Sequence, residues 1–358
     1  GARRPAPRPL GPRPLEAGGH GLLHARLGAG PGGVREDDSW GLAMKNQTVD
    51  ILMATYNGER YIAEQIESIQ AQTYKNWRLL ISDDCSTDGT LDVVESYLTA
   101  DPRINVVSKN NRYGGAKENF FSLLDLSDAD YFMFCDQDDV WVPNKVADEV
   151  EALSTLTRDE PGAVYSDMRV VNEGLDEIAS SFLDQERKRD ARGSLCTFLS
   201  ISAAAGCTMM GNAALRNIVS RTDRSAALMH DWWIAIVAAS CGRLLYLDQP
   251  TVLYRQHGDN EVGAEQYSFW KKIKNFNDSR RKYWSSCRQA KAILKNYGPS
   301  MSETARALVA AYSSQLDNNF FCSVHTLTEY GLLKSSIGRR AGQLLTLMLG
   351  VPLETGGD

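Results

Sequence analysis

The sequence predicts an α/β fold whose mostly parallel sheet carries polar side chains at one edge. Short apolar runs alternate with helical patterns from Val49 onward, which is typical of right-handed βαβ units. Polar motifs follow these runs directly, and the carboxyl ends of parallel strands are where such sheets bind ligands. After about residue 262 the alternation stops and helical patterns continue, so we expect a small helical appendage.

The elements follow in order along the chain. Strands are predicted at 49–54, 77–81, 104–107 and 131–135, because each is a short apolar run bounded by turn residues. Helices are predicted between them, where apolar residues recur at helical spacing: Ile62, Ile66 and Ile69; then Leu91, Val94 and Leu98; then 120–126. The appendage combines the basic, aromatic segment 269–297 with helical patterns at 302–316 and 338–351.

The ends of the chain differ from its body. Residues 1–43 hold six of the 12 prolines and ten of the 29 glycines, a composition that buries too little surface to offset chain entropy. We expect residues 1–44 to be a disordered leader, and our hypothesis is that Met44 is the natural start and the leader an artefact of expression or translation. Residues 45–264 then form the main domain, and 265–358 the helical region.

Composition excludes several classes of protein. No uninterrupted apolar run of 18 residues occurs, so a membrane-spanning helix is not expected. The seven cysteines form no CxxC pair, which argues against a disulfide framework and for a reducing compartment. Residues 46–269 carry 19 basic and 35 acidic side chains. Such a body is a poor nucleic-acid binder, but it suits a divalent cation that bridges to an anionic ligand.

The strongest chemical signal is the run Asp136-Gln137-Asp138-Asp139 after an apolar strand. Neighbouring carboxylates repel one another unless a cation or solvent relieves them. Oxygen ligands suit Mg²⁺ or Mn²⁺, which also contact substrate phosphates. The alternative is a solvated acidic turn before Pro143.

Two further motifs end the first two predicted strands. Residues 55–59 read Thr-Tyr-Asn-Gly-Glu, and residues 83–90 begin with Asp83 and Asp84. A carboxylate at a strand end is able to accept the N–H of a pyrimidine ring or a ribose hydroxyl. Asp88 is better explained as a cap of the next helix, and the first motif is equally an ordinary turn.

Paired glycines precede the third predicted helix. Gly114 and Gly115 allow close backbone approach, and a helix N-terminus favours an anion. The chain has neither GxGxxG nor GxxxxGK[ST], so the dinucleotide and P-loop fingerprints are absent.

Two motifs lie later in the chain. Residues 230–233 read His-Asp-Trp-Trp before an apolar helix, where Asp231 is suited to be a general base and the tryptophans to stack on a sugar face. The alternative is a cap on a buried helix. Residues 254–257 read Tyr-Arg-Gln-His, in which His257 suits a metal and Arg255 a phosphate.

Taken together and in order, these motifs resemble the family 2 inverting glycosyltransferases, in particular the bacterial rhamnosyltransferase-like branch. The resemblance covers roughly residues 47–260 and is carried by TYNGE (55–59), DDCSTDGT (83–90), DQDD (136–139), AGCTMM (205–210), HDWW (230–233) and YRQH (254–257). The family often has Glu-Asp at the base position, whereas this chain has His230-Asp231. The resemblance implies a GT-A, Rossmann-like fold with a mostly parallel central sheet, and residues 45–264 as its catalytic domain.

The resemblance also implies a role for each site residue. Asp231 is the catalytic base, and Asp138 with His257 binds Mn²⁺ or Mg²⁺. The donor nucleotide and its phosphates are contacted by Thr55, Asn57, Glu59, Asp83, Asp84, Gly115, Asp136 and Arg255. Gly206, Cys207 and Trp232 lie on the acceptor side.

The function that follows is metal-dependent transfer of a sugar onto a glycan or lipid-linked glycan. The sugar that the resemblance favours is rhamnose, from dTDP-L-rhamnose. We expect a cytoplasmic protein, with possible peripheral contact at the inner membrane face through the basic residues of 270–295 and Arg339-Arg340. Three alternatives stay open: a UDP-hexose or UDP-N-acetylhexosamine donor, a non-catalytic nucleotide-sugar-binding protein, and a metal-dependent phosphohydrolase.

Overall fold

A computed structural model describes residues 47–109, 111–186, 194–257, 269–334 and 337–352. The predicted leader with Met44, and the predicted domain boundary after residue 264, lie outside these residues.

The sheet is mixed, with a parallel portion that holds the predicted strands. Its order is β3-β2-β1-β4-β8-β6-β9-β5, and β7 pairs with β6. Neighbours within β3-β2-β1-β4 are parallel, as are β6 and β9, whereas β8 runs antiparallel to both β4 and β6. The strands are β1 Val49–Thr55, β2 Trp77–Asp83, β3 Ile104–Ser108, β4 Tyr131–Cys135, β5 Val140–Trp141, β6 Gly162–Val171, β7 Glu177–Ala179, β8 Met209–Asn212 and β9 Arg243–Arg255.

Helices cover both faces of this sheet. Before residue 257 they are α1 Ile62–Gln70, α2 Thr90–Leu98, α3 Ala116–Leu126, α4 Lys145–Leu153, α5 Phe182–Gln185, α6 Leu195–Ser200, α7 Ala213–Val219 and α8 His230–Cys241. The C-terminal part adds α9 Phe269–Tyr297, α10 Glu303–Ser313, α11 Phe320–Glu329 and α12 Ile337–Met348. The predicted α/β class with a helical C-terminal part is therefore confirmed.

Alternate strand residues separate two hydrophobic clusters, one on each face. In β1, Ile51 and Met53 pack with α1 and α2, while Leu52 packs on the opposite face with α3 and α8. Both faces are buried because successive strand side chains point to opposite sides and helices cover each side.

The C-terminal helices complete one of these faces. Trp284 and Cys287 of α9 and Tyr312 of α10 are buried in the same cluster as Leu52 and α8. The helical region is thus packed into the core of the sheet. No helix in the described ranges is both long and apolar enough to cross a membrane.

The parallel strands set the position of the site. The chain leaves β1 towards β2 on one side, and β4 lies on its other side. The carboxyl ends of β1 and β4 therefore flank a topological switch point, where open α/β sheets form a ligand crevice.

Candidate active site

A cleft of about 620 Å³ opens at the carboxyl ends of β1, β2 and β4. Part of the lining comes from the loops after these strands, and part from the 3₁₀ turn Gly206–Thr208 and the start of α8. The lining residues are Ala54, Thr55, Tyr56, Asp84, Arg112, Gly114, Gly115, Ala116, Asn119, Phe120, Asp136, Gln137, Asp138, Met168, Phe182, Ala205, Gly206, Cys207, Met229, His230, Asp231 and Tyr254. Predicted site residues from distant parts of the sequence thus meet in one cleft.

The end of β1 is joined to the end of β2 by side-chain hydrogen bonds. Thr55 lines the cleft, and its hydroxyl donates to the Asp83 carboxylate at 3.0 Å. Asp83 is fully buried and also accepts from the backbone N–H of Ser86 at 2.8 Å. Asp83 is not among the residues that line the cleft, and here it positions Thr55. Its contact with a nucleotide stays a prediction.

The side chains of Asn57 and Glu59 also join the loop after β1 to the loop after β2. The Asn57 side chain accepts from the backbone N–H of Thr87 at 2.8 Å, and the Glu59 carboxylate accepts from that of Gly89 at 2.9 Å. Asn57 has a φ of 48°, a conformation that asparagine tolerates better than most residues. Neither residue lines the cleft, and both hold the two loops together.

Asp84 lies in the cleft wall beside the paired glycines. Its carboxylate accepts from three consecutive backbone N–H groups, those of Tyr113, Gly114 and Gly115, the last two at 3.0 Å. Gly114 at φ 77° and Gly115 at φ 152° adopt conformations that a side chain would strain. The glycine loop does bind an anion, but that anion is Asp84. The N–H of Gly115 is therefore not directed at donor phosphate, although the residue lines the cleft.

The side chains of the acidic motif after β4 lie in different surroundings and make different contacts. Asp136 and Asp138 line the cleft. Gln137 accepts from the backbone N–H of Tyr56 at 3.0 Å and donates to its carbonyl at 2.9 Å, which fixes the loop after β1. Asp139 is fully buried and accepts from the backbone N–H of Arg255 at 3.2 Å.

Asp138 and His257 come together although 119 positions separate them in the sequence. The Asp138 Oδ2 and His257 Nε2 atoms are 2.8 Å apart, and Asp136 lies on the same loop at the cleft. Carboxylates with one imidazole are donors that fit a divalent cation such as Mn²⁺ or Mg²⁺. Asp138 and His257, which the sequence predicts as metal ligands, therefore lie next to each other.

A second group of potential ligands lies deeper. The ligand atoms of Asp136, Asp139 and Cys207 are within 4.8 Å of one another. Burial, with the nearby Asp138 and Asp136 carboxylates, raises the pKa of Asp139 well above its usual range. Burial, followed by the charge of Asp139, raises the pKa of the Cys207 thiol in the same way. Cysteine sulfur is a soft ligand, whereas Mg²⁺ and Mn²⁺ prefer oxygen, so Asp138 with His257 fits these ions better than this group does.

Arg255 is committed to the protein. Its side chain is 1% exposed, and it donates to the carbonyl oxygen of Asp138 at 3.0 Å, to that of Glu173, and to the Glu64 carboxylate at 2.6 Å. The guanidinium also lies 4.6 Å from the Tyr61 ring. Arg255 is not among the residues that line the cleft. In this structure it fixes the backbone of the acidic motif, and its contact with phosphate stays a prediction.

Arg112 is a cation in the cleft to which the motif analysis assigned no role. It is exposed, precedes α3 and lines the cleft. Among the lining residues that the structure describes, it is the one arginine or lysine. The signal in the sequence was its position just before the paired glycines.

Asp231 lines the cleft from the first turn of α8. Its Oδ2 accepts from the backbone N–H of Gly206 at 3.1 Å, and its Oδ1 from that of Trp232 at 2.6 Å. The helix N-terminus stabilises negative charge at this position. Gly206 and Cys207, predicted on the acceptor side, also line the cleft. The arrangement suits a carboxylate that accepts a proton from a ligand in the cleft.

His230 is packed among aromatic rings beside this carboxylate. It is 3% exposed, stacks on Phe120 with ring centroids 4.2 Å apart, and meets the Phe134 ring edge-on at 4.6 Å. In the described part of the chain neither ring nitrogen has a hydrogen-bond partner. Burial lowers the pKa of His230 to about 3, so the ring is neutral at pH 7. A Cβ at Gly206 would lie 2.8 Å from its Nε2, which explains glycine there.

The tryptophans after Asp231 belong to the core. Trp232 is 1% exposed, its indole N–H donates to the carbonyl oxygen of Phe198, and Lys282 of α9 lies 5.6 Å from its ring. Trp233 is fully buried. Neither ring is among the groups that line the cleft, so stacking on a sugar and the place of Trp232 on the acceptor side stay predictions.

Comparison with known proteins now assigns the family. The family model described as Glycosyl transferase family 2 matches residues 50–217. The dTDP-rhamnosyl transferase RfbG of Shigella flexneri is 32% identical over 243 residues, which span 65% of this chain and 80% of that protein. The chain belongs to glycosyl transferase family 2. It is therefore a glycosyltransferase, and an inverting mechanism fits the family.

Other relatives match a shorter part. An Escherichia coli UDP-Glc:alpha-D-GlcNAc-diphosphoundecaprenol beta-1,3-glucosyltransferase is 30% identical over 129 residues, or 36% of this chain and 49% of that protein. The crystal structure of S. aureus TarS in complex with UDP-GlcNAc superposes with a TM-score of 0.52 at 16% identity, covering 84% of this chain and 89% of that one. This likeness supports the fold.

Proposed function

We propose that this glycosyltransferase moves rhamnose from dTDP-L-rhamnose to a hydroxyl of a glycan or lipid-linked glycan during cell-surface polysaccharide synthesis. The observation that carries sugar transfer is a single cleft lined both by the strand-end carboxylates Asp84, Asp136 and Asp138 and by Asp231. The rhamnose donor is supported by the Shigella flexneri relative, which the chain matches over 80% of that protein's length.

A UDP-glucose donor is the second candidate. The Escherichia coli relative whose name includes UDP-Glc supports it. That match spans about half of the relative's length, so it is the weaker support. A UDP-N-acetylhexosamine donor would bind in the same part of the cleft.

The donor end of the cleft is built by loops that the protein holds rigid. Tyr56 is fixed by Gln137, and Asp84 holds the glycine loop that carries Arg112. We assign the donor diphosphate to the space that Arg112 faces, because a guanidinium pairs well with phosphate oxygens. Asp138, His257 and Asp136 would hold the Mn²⁺ or Mg²⁺, which when bound neutralises charge on the leaving diphosphate.

The chemistry at Asp231 is a single displacement. The acceptor hydroxyl oxygen bonds to the anomeric carbon as the bond from that carbon to the diphosphate oxygen breaks. The hydroxyl proton passes to the Asp231 carboxylate, and the nucleoside diphosphate departs with the electron pair. Attack opposite to the leaving group inverts the anomeric configuration. The hydrogen bond from the Gly206 N–H to Asp231 holds this carboxylate in place before attack.

The test measures donor binding and transfer separately. A donor at 100 times its Kd stabilises the folded state by about 2.7 kcal/mol, enough to raise the Tm by several degrees. We expect that shift with dTDP-L-rhamnose and Mn²⁺ but not with UDP-glucose, and formation of dTDP when a glycan acceptor is added. Asp138→Asn should abolish the metal-dependent part of both signals, whereas the exposed Asp159→Asn should leave them unchanged.

Each contrary outcome has a distinct meaning. A shift with UDP-glucose alone would replace the rhamnose assignment. Binding without transfer to any acceptor would favour a non-catalytic binding protein. Release of phosphate without sugar transfer would favour a phosphohydrolase.

A further inference from the structure

Two aromatic rings lie together beside the carboxyl ends of β6 and β9. Phe182 begins α5, and Tyr254 lies one residue before the end of β9. Their ring centroids are 5.7 Å apart, and the ring planes meet at 68°. Both residues line the cleft and are half-buried. We call Phe182 and Tyr254 the aromatic pair.

The other aromatic side chains in the cleft lining have different surroundings. Tyr56 lies in the loop after β1, where Gln137 bonds its backbone on both sides. Phe120 is 2% exposed, and the ring of His230 stacks on it. Apart from His230, the remaining rings among the lining residues that the structure describes are those of the aromatic pair.

One buried carboxylate fixes the position of Phe182. Asp167, near the end of β6, is 5% exposed and accepts from the Ser181 hydroxyl at 2.5 Å. It also accepts from the backbone N–H of Leu183 at 3.2 Å and from that of Met168 at 2.8 Å. The residues on both sides of Phe182 are thus bonded to β6. A ring that is placed before its ligand arrives lowers the ordering cost of binding.

The order of the strands separates the aromatic pair from the donor end of the cleft. Thr55 and Asp84 follow β1 and β2, whereas β6 and β9 lie beyond β4 and β8 in the sheet. Asp136 follows β4, and Gly206, whose N–H donates to Asp231, precedes β8. Along this edge the aromatic pair therefore comes after the acidic motif and the base. Since the acceptor attacks from the side opposite the leaving diphosphate, the pair lies on the acceptor side.

The chemistry of the pair suits the face of a sugar ring. A pyranose carries C–H groups on its faces and hydroxyls around its edge, and aromatic side chains in ligand sites supply apolar contact while polar groups fix orientation. Met168, which is 3% exposed, belongs to the hydrophobic cluster against which both rings pack. A phosphate or carboxylate would lose water at this surface without gaining a partner.

We infer that the aromatic pair is an acceptor subsite, in which Phe182 and Tyr254 pack against the C–H face of the sugar whose hydroxyl is attacked. The subsite orients that hydroxyl towards Asp231 and selects acceptors that present a pyranose face. The assignment to the acceptor rests on the proposed function, whereas the binding of a sugar by the pair does not require turnover.

The first experiment measures transfer from dTDP-L-rhamnose with Mn²⁺ to the methyl glycosides of rhamnose, glucose and N-acetylglucosamine. Phe182→Leu and Tyr254→Leu keep an apolar side chain and remove the ring. Each should raise the acceptor KM by roughly two- to tenfold, the usual effect of one aromatic contact, with the donor KM and the donor-induced Tm shift unchanged. Tyr254→Phe keeps the ring and should retain the acceptor KM. Phe321→Leu, at a phenylalanine that is 82% exposed in α11, is the matched control.

The second experiment detects binding without turnover. The full chain, carrying isotope-labelled phenylalanine, is titrated by NMR with the same methyl glycosides in the presence of dTDP and Mg²⁺. The ring signals of Phe182, identified by their loss in Phe182→Leu, should shift. Those of Phe321, identified in the same way, should not.

The outcomes separate the subsite from the reaction. A higher acceptor KM in both leucine variants, with normal donor values and shifted Phe182 signals, supports the inference. An unchanged acceptor KM overturns it, as do Phe182 signals that no glycoside moves, and a raised donor KM overturns it by assigning the pair to the donor. If the signals shift but the unchanged chain transfers no sugar, the proposed function fails and the sugar-binding pair stands.

Discussion

Replacing His230 with phenylalanine should change how the stability of the protein depends on pH. The imidazole is enclosed by Phe120 and Phe134, and burial lowers its pKa to about 3. An unfolded histidine has a pKa of about 6.5. Between these values the unfolded chain binds a proton at this residue and the folded chain does not.

The sign and size follow from that difference. The contribution of His230 to the free energy of unfolding has its full value above pH 6.5, and it falls as the pH drops towards the folded pKa of about 3. Where the unfolded chain binds one more proton than the folded chain, each pH unit changes the free energy of unfolding by about 1.4 kcal/mol. The free energy of unfolding should therefore fall by about 2 kcal/mol between pH 6.5 and pH 5.0 through this residue. Phenylalanine keeps the aromatic packing and removes two ring nitrogens that lack partners, so at pH 7.5 it should be nearly neutral or stabilising.

The assay is urea unfolding of the unchanged chain and His230→Phe at pH 7.5, 6.5, 5.5 and 5.0, four points that bracket an unfolded pKa of about 6.5. The difference between the two proteins isolates this residue, because other buried acids, such as Glu149, whose pKa burial raises to about 7, contribute equally to both. His325→Phe, at a histidine that is exposed in α11, is the matched control. Parallel curves for the unchanged chain and His230→Phe down to pH 5.0 would refute the reasoning, because they would mean that the folded ring is protonated as readily as the unfolded one.

Three other substitutions test the site. Asp231→Asn keeps the hydrogen-bonding shape but accepts no proton, so turnover should fall by about 10²- to 10⁴-fold while the donor-induced Tm shift remains; turnover within tenfold of normal, by the usual size of general-base effects, would contradict the base assignment. Gly206→Ala places a Cβ 2.8 Å from the His230 Nε2 and should cost about 1–3 kcal/mol of stability in urea unfolding, whereas Gly298→Ala, whose Cβ would be 3.8 Å from its nearest neighbour, should not. Arg112→Gln should raise the donor KM by roughly tenfold, as loss of one charged hydrogen bond would, with the acceptor KM unchanged; equal losses for both substrates would argue against a phosphate contact.

The sequence by itself determined the layout of the catalytic sheet. The alternation of apolar runs and helical patterns placed β1 to β4 correctly. The observed β1 and β2 are slightly longer than predicted, because they include the polar residues up to Thr55 and Asp83. It also placed Asp231 at a helix start, and Asp138 and His257 after strands, because such positions can be read from local pattern. Strand order then brought these residues to one cleft, because parallel strands end at the same edge.

Only the tertiary structure decided which polar groups face a ligand. Arg255 and Glu64, which pair at 2.6 Å, are 191 positions apart, so no motif spacing reveals that this arginine is occupied. The same holds for Asp84, which takes the N–H groups of the glycine loop, and for Trp232, which the C-terminal helices help to bury. A motif specifies neighbours along the chain, whereas burial and hydrogen-bond partners depend on segments that meet only after folding.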